Sequence, residues 1–359
     1  MSVVTHTPGR LRLGLTLGHR GPGNDADDLA LAREADRLGY AVVWAAEAYG
    51  SDAVTVLSWV AAQTRQIDVG SAVLQIPARS PAMTAMTAAS LDSLSGGRFR
   101  LGLGVSGPQV SEGWHGVRFD QPLARTREYV DIVQMALRRE TVRYQGKHHT
   151  LPLPDGPGKA LRLSVHPVRD HVPLYLAAVG PKNLELTGEI ADGWLAVFFS
   201  PEHAAMSLEP LRAGQTRAGR TDRSFDVVPT VPVVLSDDIE EAAAPVRRYA
   251  ALYVGGMGST KQNFYHELAR RMGFETEAAE VQRLFLDGSH REAAAAVPLD
   301  FVDATALVGP PERIRDRLHA YAEAGVTTLS IAVMDRTIGQ SLHTIRTVAA
   351  MLDQSGLAA

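Results

Sequence analysis

The 359-residue chain contains no cysteine. That excludes a disulfide framework, an iron–sulfur cluster, a thiolate zinc site and a cysteine nucleophile. An excess of charge of either sign is also missing: 36 Lys+Arg stand against 40 Asp+Glu, a formal charge of −4. Nucleic-acid binders usually carry a basic face, so no nucleic-acid partner is expected. No apolar run approaches the roughly 18–20 residues that a membrane span needs, and no membrane partner is expected. The opening residues Met1 to Pro8 lack a basic stretch followed by an apolar one, so no signal peptide is visible. His148-His149 has no third ligand nearby, and no metal site is expected. The expectation is a soluble, cytoplasmic α/β enzyme, long enough to bury a large core without staples.

What the chain does have is a regular alternation of short apolar runs with longer amphipathic ones. Strands are expected at 11–17, 41–44, 67–74, 99–105, 174–178, 193–197, 226–235 and 328–333. Helices follow them, among them 25–38, 54–64, 81–94, 182–189, 201–218 and 310–324. A β-then-α repeat implies parallel strands, because parallel neighbours need a crossover helix. Eight such units predict an α/β fold, a (β/α)8 TIM barrel read as one domain over 1–359, with insertions after strands four and seven. A doubly wound open sheet is the rival. Three segments break the repeat: a loop near 106–121, a hairpin with a Pro/Gly loop near 141–169, and a helix-rich excursion near 255–299.

In a barrel of this kind the working groups sit on loops at the carboxyl ends of the strands. His19 follows strand one, Trp44 to Gly50 follow strand two, Gly104 to Gln109 follow strand four, and Ala178 to Asn183 follow strand five. The last two loops offer small residues and free backbone N–H groups leading into a helix, a recipe for holding a phosphate. Lys182 adds a cation beside one of them. Either loop alone can equally serve only to turn the chain. Neither is a Walker or Rossmann fingerprint, since the Lys-Ser/Thr ending and the full glycine spacing are missing.

Gly39-Tyr40-Ala41-Val42-Val43-Trp44-Ala45-Ala46-Glu47 resembles the second-strand signature of the luciferase-like monooxygenase superfamily. Ser93-Leu94-Ser95-Gly96-Gly97-Arg98-Phe99-Arg100-Leu101-Gly102-Leu103-Gly104 is similar to its most recognisable stretch, and Pro173 to Pro181 and Ala191 to Trp194 match two more segments in order. Within the superfamily the chain looks most like the coenzyme F420-dependent oxidoreductases. The resemblance implies a non-prolyl cis peptide in a bulge at Ser71-Ala72-Val73, with the Ala72–Val73 bond as the candidate. It implies that Ser106, Gly107, Ala178, Val179 and Gly180 hold the cofactor's ribityl chain and phosphate, and that Glu47 lies near the ring. Trp44, Trp114, Trp194 and Phe198 are candidates to line the ring or substrate pocket, each equally readable as core.

One departure matters. Sugar-phosphate dehydrogenases of this branch carry an Asp-His pair after strand two, where this chain has Glu47-Ala48, and their acid after strand four falls here on Gly107 or Pro108. Oxidising an alcohol requires a base for the hydroxyl proton. The expected chemistry is therefore hydride transfer between the deazaflavin C5 and a small organic substrate, in the direction that reduces an activated C=C or C=N bond. Proton-donor candidates are Glu47, Tyr49, His19 and His115. The rivals are an FMN-dependent monooxygenase on the same fold and a non-catalytic flavin-binding subunit. The resemblance also suggests a homodimer.

Overall fold

The computed structural model describes residues 9–18, 25–260 and 262–359. His19 lies outside them. The strands are β1 (Arg12–Thr16), β2 (Val42–Ala45), β3 (Asp68–Ser71), β4 (Leu74–Gln75) and β5 (Phe99–Gly104), then β6 (Tyr144–Gln145) and β7 (Thr150–Leu151). After these come β8 (Leu174–Ala177), β9 (Gly193–Val197), β10 (Asp226–Leu235), β11 (Leu307–Gly309) and β12 (Thr328–Val333). The helices begin with α1 (Asp25–Arg37), α2 (Ala53–Gln63), α3 (Pro81–Leu94), α4 (Pro108–Gly113), α5 (Pro122–Leu137), α6 (Pro181–Ile190) and α7 (Ala205–Arg217). They continue with α8 (Ile239–Ala251), α9 (Phe264–Arg271), α10 (Glu275–Leu286), α11 (His290–Ala295), α12 (Leu299–Thr305), α13 (Pro311–Glu323) and α14 (Ile338–Ser355).

The chain divides into two compact units. In the one formed by Met1–Ala41, Ala196–Met206 and Asp226–Ala359, β12 pairs in parallel with both β1 and β10, and β10 pairs with β11. Its core includes Phe198, buried among the rings of Tyr249, Tyr253, Tyr265 and Phe301. In the other, Val42–Leu195 with Ser207–Phe225, the parallel order is β2-β3-β5-β8-β9. Strands β2 and β5 are buried along their whole length, which is why they read as near-continuous apolar runs. The fold class is the α/β (β/α)8 barrel expected rather than an open sheet.

Local chemistry sets the helix starts. Asp52 caps α2 by accepting from the Thr55 N–H at 2.7 Å, and Ser80 caps α3 by accepting from the Met83 N–H at 3.2 Å, with Pro81 in the first turn. Asp238 does the same for α8 at 3.1 Å, and Thr337 with Gln340 forms a capping box on α14. No helix among the described residues is long and apolar enough to cross a membrane.

Four local readings change. The third expected strand is two pieces, β3 and β4, separated by a bulge. Strand β11 was not foreseen, because three residues are too few for periodicity to register. The loop near 106–121 contains α4, and the helix near 201–218 is a 3-10 turn, Pro201–His203, followed by α7. The 141–169 insertion does carry an antiparallel hairpin, β6 with β7. It is anchored through Asp92 of α3, whose wholly buried carboxylate accepts from the Val168 and Arg169 N–H groups at 2.8 and 3.2 Å and from the Arg169 guanidinium at 2.6 and 2.8 Å. The excursion near 255–299 carries α9, α10 and α11 after a π-helical turn, Leu252–Gly256.

Candidate active site

Strands β2, β3, β5 and β8 end side by side within the second unit, and the bulge after β3 is the centre of what they build. The Ala72–Val73 peptide is cis, at the bond singled out from the sequence. Its flanks are tied to the strand-two end: the Ala72 N–H donates to the Ala45 carbonyl at 2.8 Å and the Glu47 N–H to the Val73 carbonyl at 3.4 Å. On the other side, Ser71 is wholly buried, its hydroxyl donating to the Gly102 carbonyl at 2.8 Å and accepting from the Gly102 N–H at 2.9 Å. A Cβ on Gly102 would sit 1.9 Å from the Ser71 carbonyl oxygen, so only glycine allows the bulge to lie this close to β5. Gly104 repeats the device: a Cβ there would meet Val73 Cγ2 at 2.6 Å and Ala177 Cβ at 3.7 Å. Val73, half-buried, thus rests on bare backbone beside Ala177.

Glu47 is tied into the protein around the bulge. Its carboxylate accepts from the Gln75 N–H at 3.2 Å, the Ala53 N–H at 3.3 Å and the Arg79 guanidinium at 3.2 and 3.4 Å. Arg79 also reaches Asp52 at 2.7 Å. With every direction used and little exposure, this carboxylate fastens the strand-two loop to the bulge and has no lone pair directed at a substrate. All four of its hydrogen bonds are to groups of the protein around the bulge.

Gln75 was not singled out from the sequence, yet it joins three loops. Its buried amide donates to the Ala48 carbonyl at 2.8 Å and accepts from the Ser106 hydroxyl at 2.9 Å. That bond holds Ser106 at φ 61°, in the left-handed region that favours glycine. A polar residue inside Leu74-Gln75-Ile76 was the available signal, since a glutamine buried in an apolar strand end must find partners. Arg79 was missed as well, because nothing local marks it.

The remaining candidates sort by exposure. Trp44 is wholly buried, edge-on to Tyr175 at 5.3 Å with no partner for its indole N–H, so it is core and presents no face to a ligand. Ser71 is equally closed, its hydroxyl spent on Gly102. Ala178 is buried and its carbonyl accepts the Trp194 indole N–H at 2.9 Å, which places both in packing. Phe198 belongs to the aromatic core of the other unit. Ala72, Val73, Ser106, Gly107, Val179 and Gly180 are half-buried, and Lys182 is exposed in the first turn of α6. His115 Nε2 is buried without a hydrogen-bond partner. Tyr49 and Trp114, 63% and 66% exposed, share the wall of an open cavity of about 320 Å³ with Gln109, Val110 and Gly113. No group of three or more His, Asp or Glu side chains among the described residues can hold a metal ion.

The sequence profile of a family described as luciferase-like monooxygenase matches residues 4–328. A protein of Mycobacterium tuberculosis, provisionally named a coenzyme F420-dependent oxidoreductase, is 45% identical over 331 residues, covering 89% of this chain and 94% of its own. The 5,10-methylenetetrahydromethanopterin reductase of Archaeoglobus fulgidus is 28% identical over 302 residues, 82% of this chain and 85% of that one. The solved coenzyme F420-dependent tetrahydromethanopterin reductase from Methanopyrus kandleri superposes with a TM-score of 0.81 at 22% identity, covering 96% of this chain and 99% of that one.

Proposed function

Because the chain belongs to the luciferase-like monooxygenase family, we propose that it binds coenzyme F420 at the ends of β3, β5 and β8 and moves a hydride between that cofactor and a small organic substrate. The observation that carries this reading is the bulge at Ala72–Val73, which lays the half-buried, apolar Val73 against the bare backbone of Gly104, where a planar ring would rest on it. When bound, the deazaflavin supplies the hydride at C5. Ala72 and Val73 would support its ring, while Ser106, Gly107, Val179, Gly180 and Lys182 would hold its ribityl and phosphate tail.

The residues of the chain then have separate tasks. Ser71 and Glu47 keep the bulge in place, and Gln75 orients Ser106. The Tyr49 hydroxyl is the group best placed to hand on a proton, because Glu47 is committed elsewhere. The cavity it lines carries no carboxylate or imidazole. Removing a proton from an alcohol needs such a base, so reduction of an activated C=C or C=N bond is the direction the site supports. The exposed Trp59, Met83 and Met86 on α2 and α3 are consistent with a homodimer, which sedimentation velocity would test.

Anaerobic titration with F420 and with FMN, followed by a screen of enones and imines for oxidation of reduced F420, tests the reading. Binding of F420 and turnover of at least one such acceptor is the expected result. Tight binding of FMN alone would make the protein an FMN-dependent monooxygenase, and binding without turnover of any acceptor a non-catalytic subunit.

A further inference from the structure

Two large aromatic side chains stand in solvent beside each other's loops while their backbones are tightly held. Tyr49 follows Ala48, whose carbonyl is bonded to Gln75, and precedes Asp52, which is bonded to Arg79 and caps α2. Trp114 ends α4, its N–H donating to the Val110 carbonyl at 3.0 Å, and the helix is pinned by buried Ser111, whose hydroxyl donates to the Val117 carbonyl at 2.7 Å. Neither exposure comes from a frayed segment. Exposed aromatic surface on a rigid backbone has a cost in water that a ligand would remove. Rings also lose little freedom on binding, having only two side-chain torsions.

The cavity between them has the lower range of volumes found for small-molecule sites. Of its five lining residues none is charged, and the polar side-chain groups are the Gln109 amide, the Tyr49 hydroxyl and the Trp114 indole N–H. Such walls favour a flat, conjugated, uncharged molecule that stacks on the rings and accepts one or two hydrogen bonds. They offer no cation to a phosphate or carboxylate. Building on the hydride-transfer reading above, we propose that Tyr49 and Trp114 form the substrate-recognition subsite, and that it takes a neutral planar conjugated carbonyl compound of the quinone or polycyclic-enone type. Gly113 leaves the floor open: a Cβ built there meets no atom within 4 Å.

Calorimetric titration with 2-methyl-1,4-naphthoquinone, and with its sulfonated analogue, tests this on the protein with and without saturating oxidised F420. The absence of cysteine excludes thiol adducts. One site per chain is expected in both forms, with the sulfonated analogue at least tenfold weaker. Tyr49→Ala and Trp114→Ala should each weaken the neutral quinone about two- to tenfold, the loss of one stacked ring. Gly113→Leu should occlude the cavity with an unchanged melting temperature, and Trp59→Ala should leave binding as it was. Equal binding of both compounds, indifference to the two ring deletions, or no quinone binding overturns the proposal. So does quinone binding lost on adding F420, which would make the cavity the cofactor's own seat. Failure of F420 itself to bind would instead sink the hydride-transfer reading and leave the apo titration to judge the subsite.

Discussion

Replacing Glu47 by Gln separates the two roles a carboxylate could play at the end of β2. The amide keeps the shape and can still accept from one backbone N–H. Its NH2 half, however, must face two donors, the Arg79 guanidinium together with either the Gln75 or the Ala53 N–H, at distances now spanning 3.2–3.4 Å. Hydrogen bonds to charged groups contribute about 1.5–3 kcal/mol each. One bond from Arg79 is lost and the other falls on a neutral acceptor, and Arg79 retains its 2.7 Å bond to Asp52, so the net loss is about 2–3 kcal/mol. An unfolding entropy of about 2.1 cal/mol/K per residue, over a chain melting as one unit, converts this to a fall of roughly 3–4 °C in Tm. Urea and thermal melts would read the loss, and the pH profile of kcat with reduced F420 would be recorded in parallel. The structural role requires lower stability with both limbs of the profile in place. An unchanged melt together with a lost or shifted limb would refute it and restore Glu47 as the proton donor.

Gly104→Ala forces a methyl to within 2.6 Å of Val73 Cγ2, and overpacking of this kind costs about 1–3 kcal/mol. Since Val73 must move, F420 affinity measured by fluorescence quenching should fall at least tenfold, and an unchanged affinity would count against Val73 as the ring support. Asp92→Asn breaks a pair whose carboxylate is wholly buried and whose Arg169 partner is partly exposed. The cost should lie at the low end of about 3–5 kcal/mol, and limited proteolysis should cut first within 153–168. Near β9, burial raises the Glu202 carboxyl, but hydrogen bonds from Arg317 and Ser200 outweigh it and hold the group at about 2. A carboxyl lowered on folding stabilises above its unfolded value and loses that contribution as pH falls through the folded one. With Glu202 half exposed the effect is under about 1 kcal/mol. The stability gap between wild type and Glu202→Gln should therefore close between about pH 4.5 and 2. A gap that widens on acidification would contradict the assignment.

The alternation of strands and helices was legible because it is written in local periodicity. Spacing of two or of three to four residues decides which side of an element is apolar, and no distant residue can change that pattern. The same holds for Asp52, Ser80 and Asp238 at the helix starts, where donor and acceptor lie three residues apart. The position of the bulge was legible too, through resemblance along a continuous stretch. Roles at the site were not. Glu47 looked like a proton donor because the residues that saturate it, Gln75 and Arg79, lie 28 and 32 positions away. Trp44 reads the same whether its ring meets a ligand or Tyr175. Gln75 bonds to Ala48 and Ser106 across 27 and 31 positions, and no motif joins them. Which elements form is a property of neighbours along the chain. Which hydrogen-bonding groups remain free for chemistry is settled only when folding brings distant donors and acceptors together, since each satisfied pair removes both members from the list of available ones.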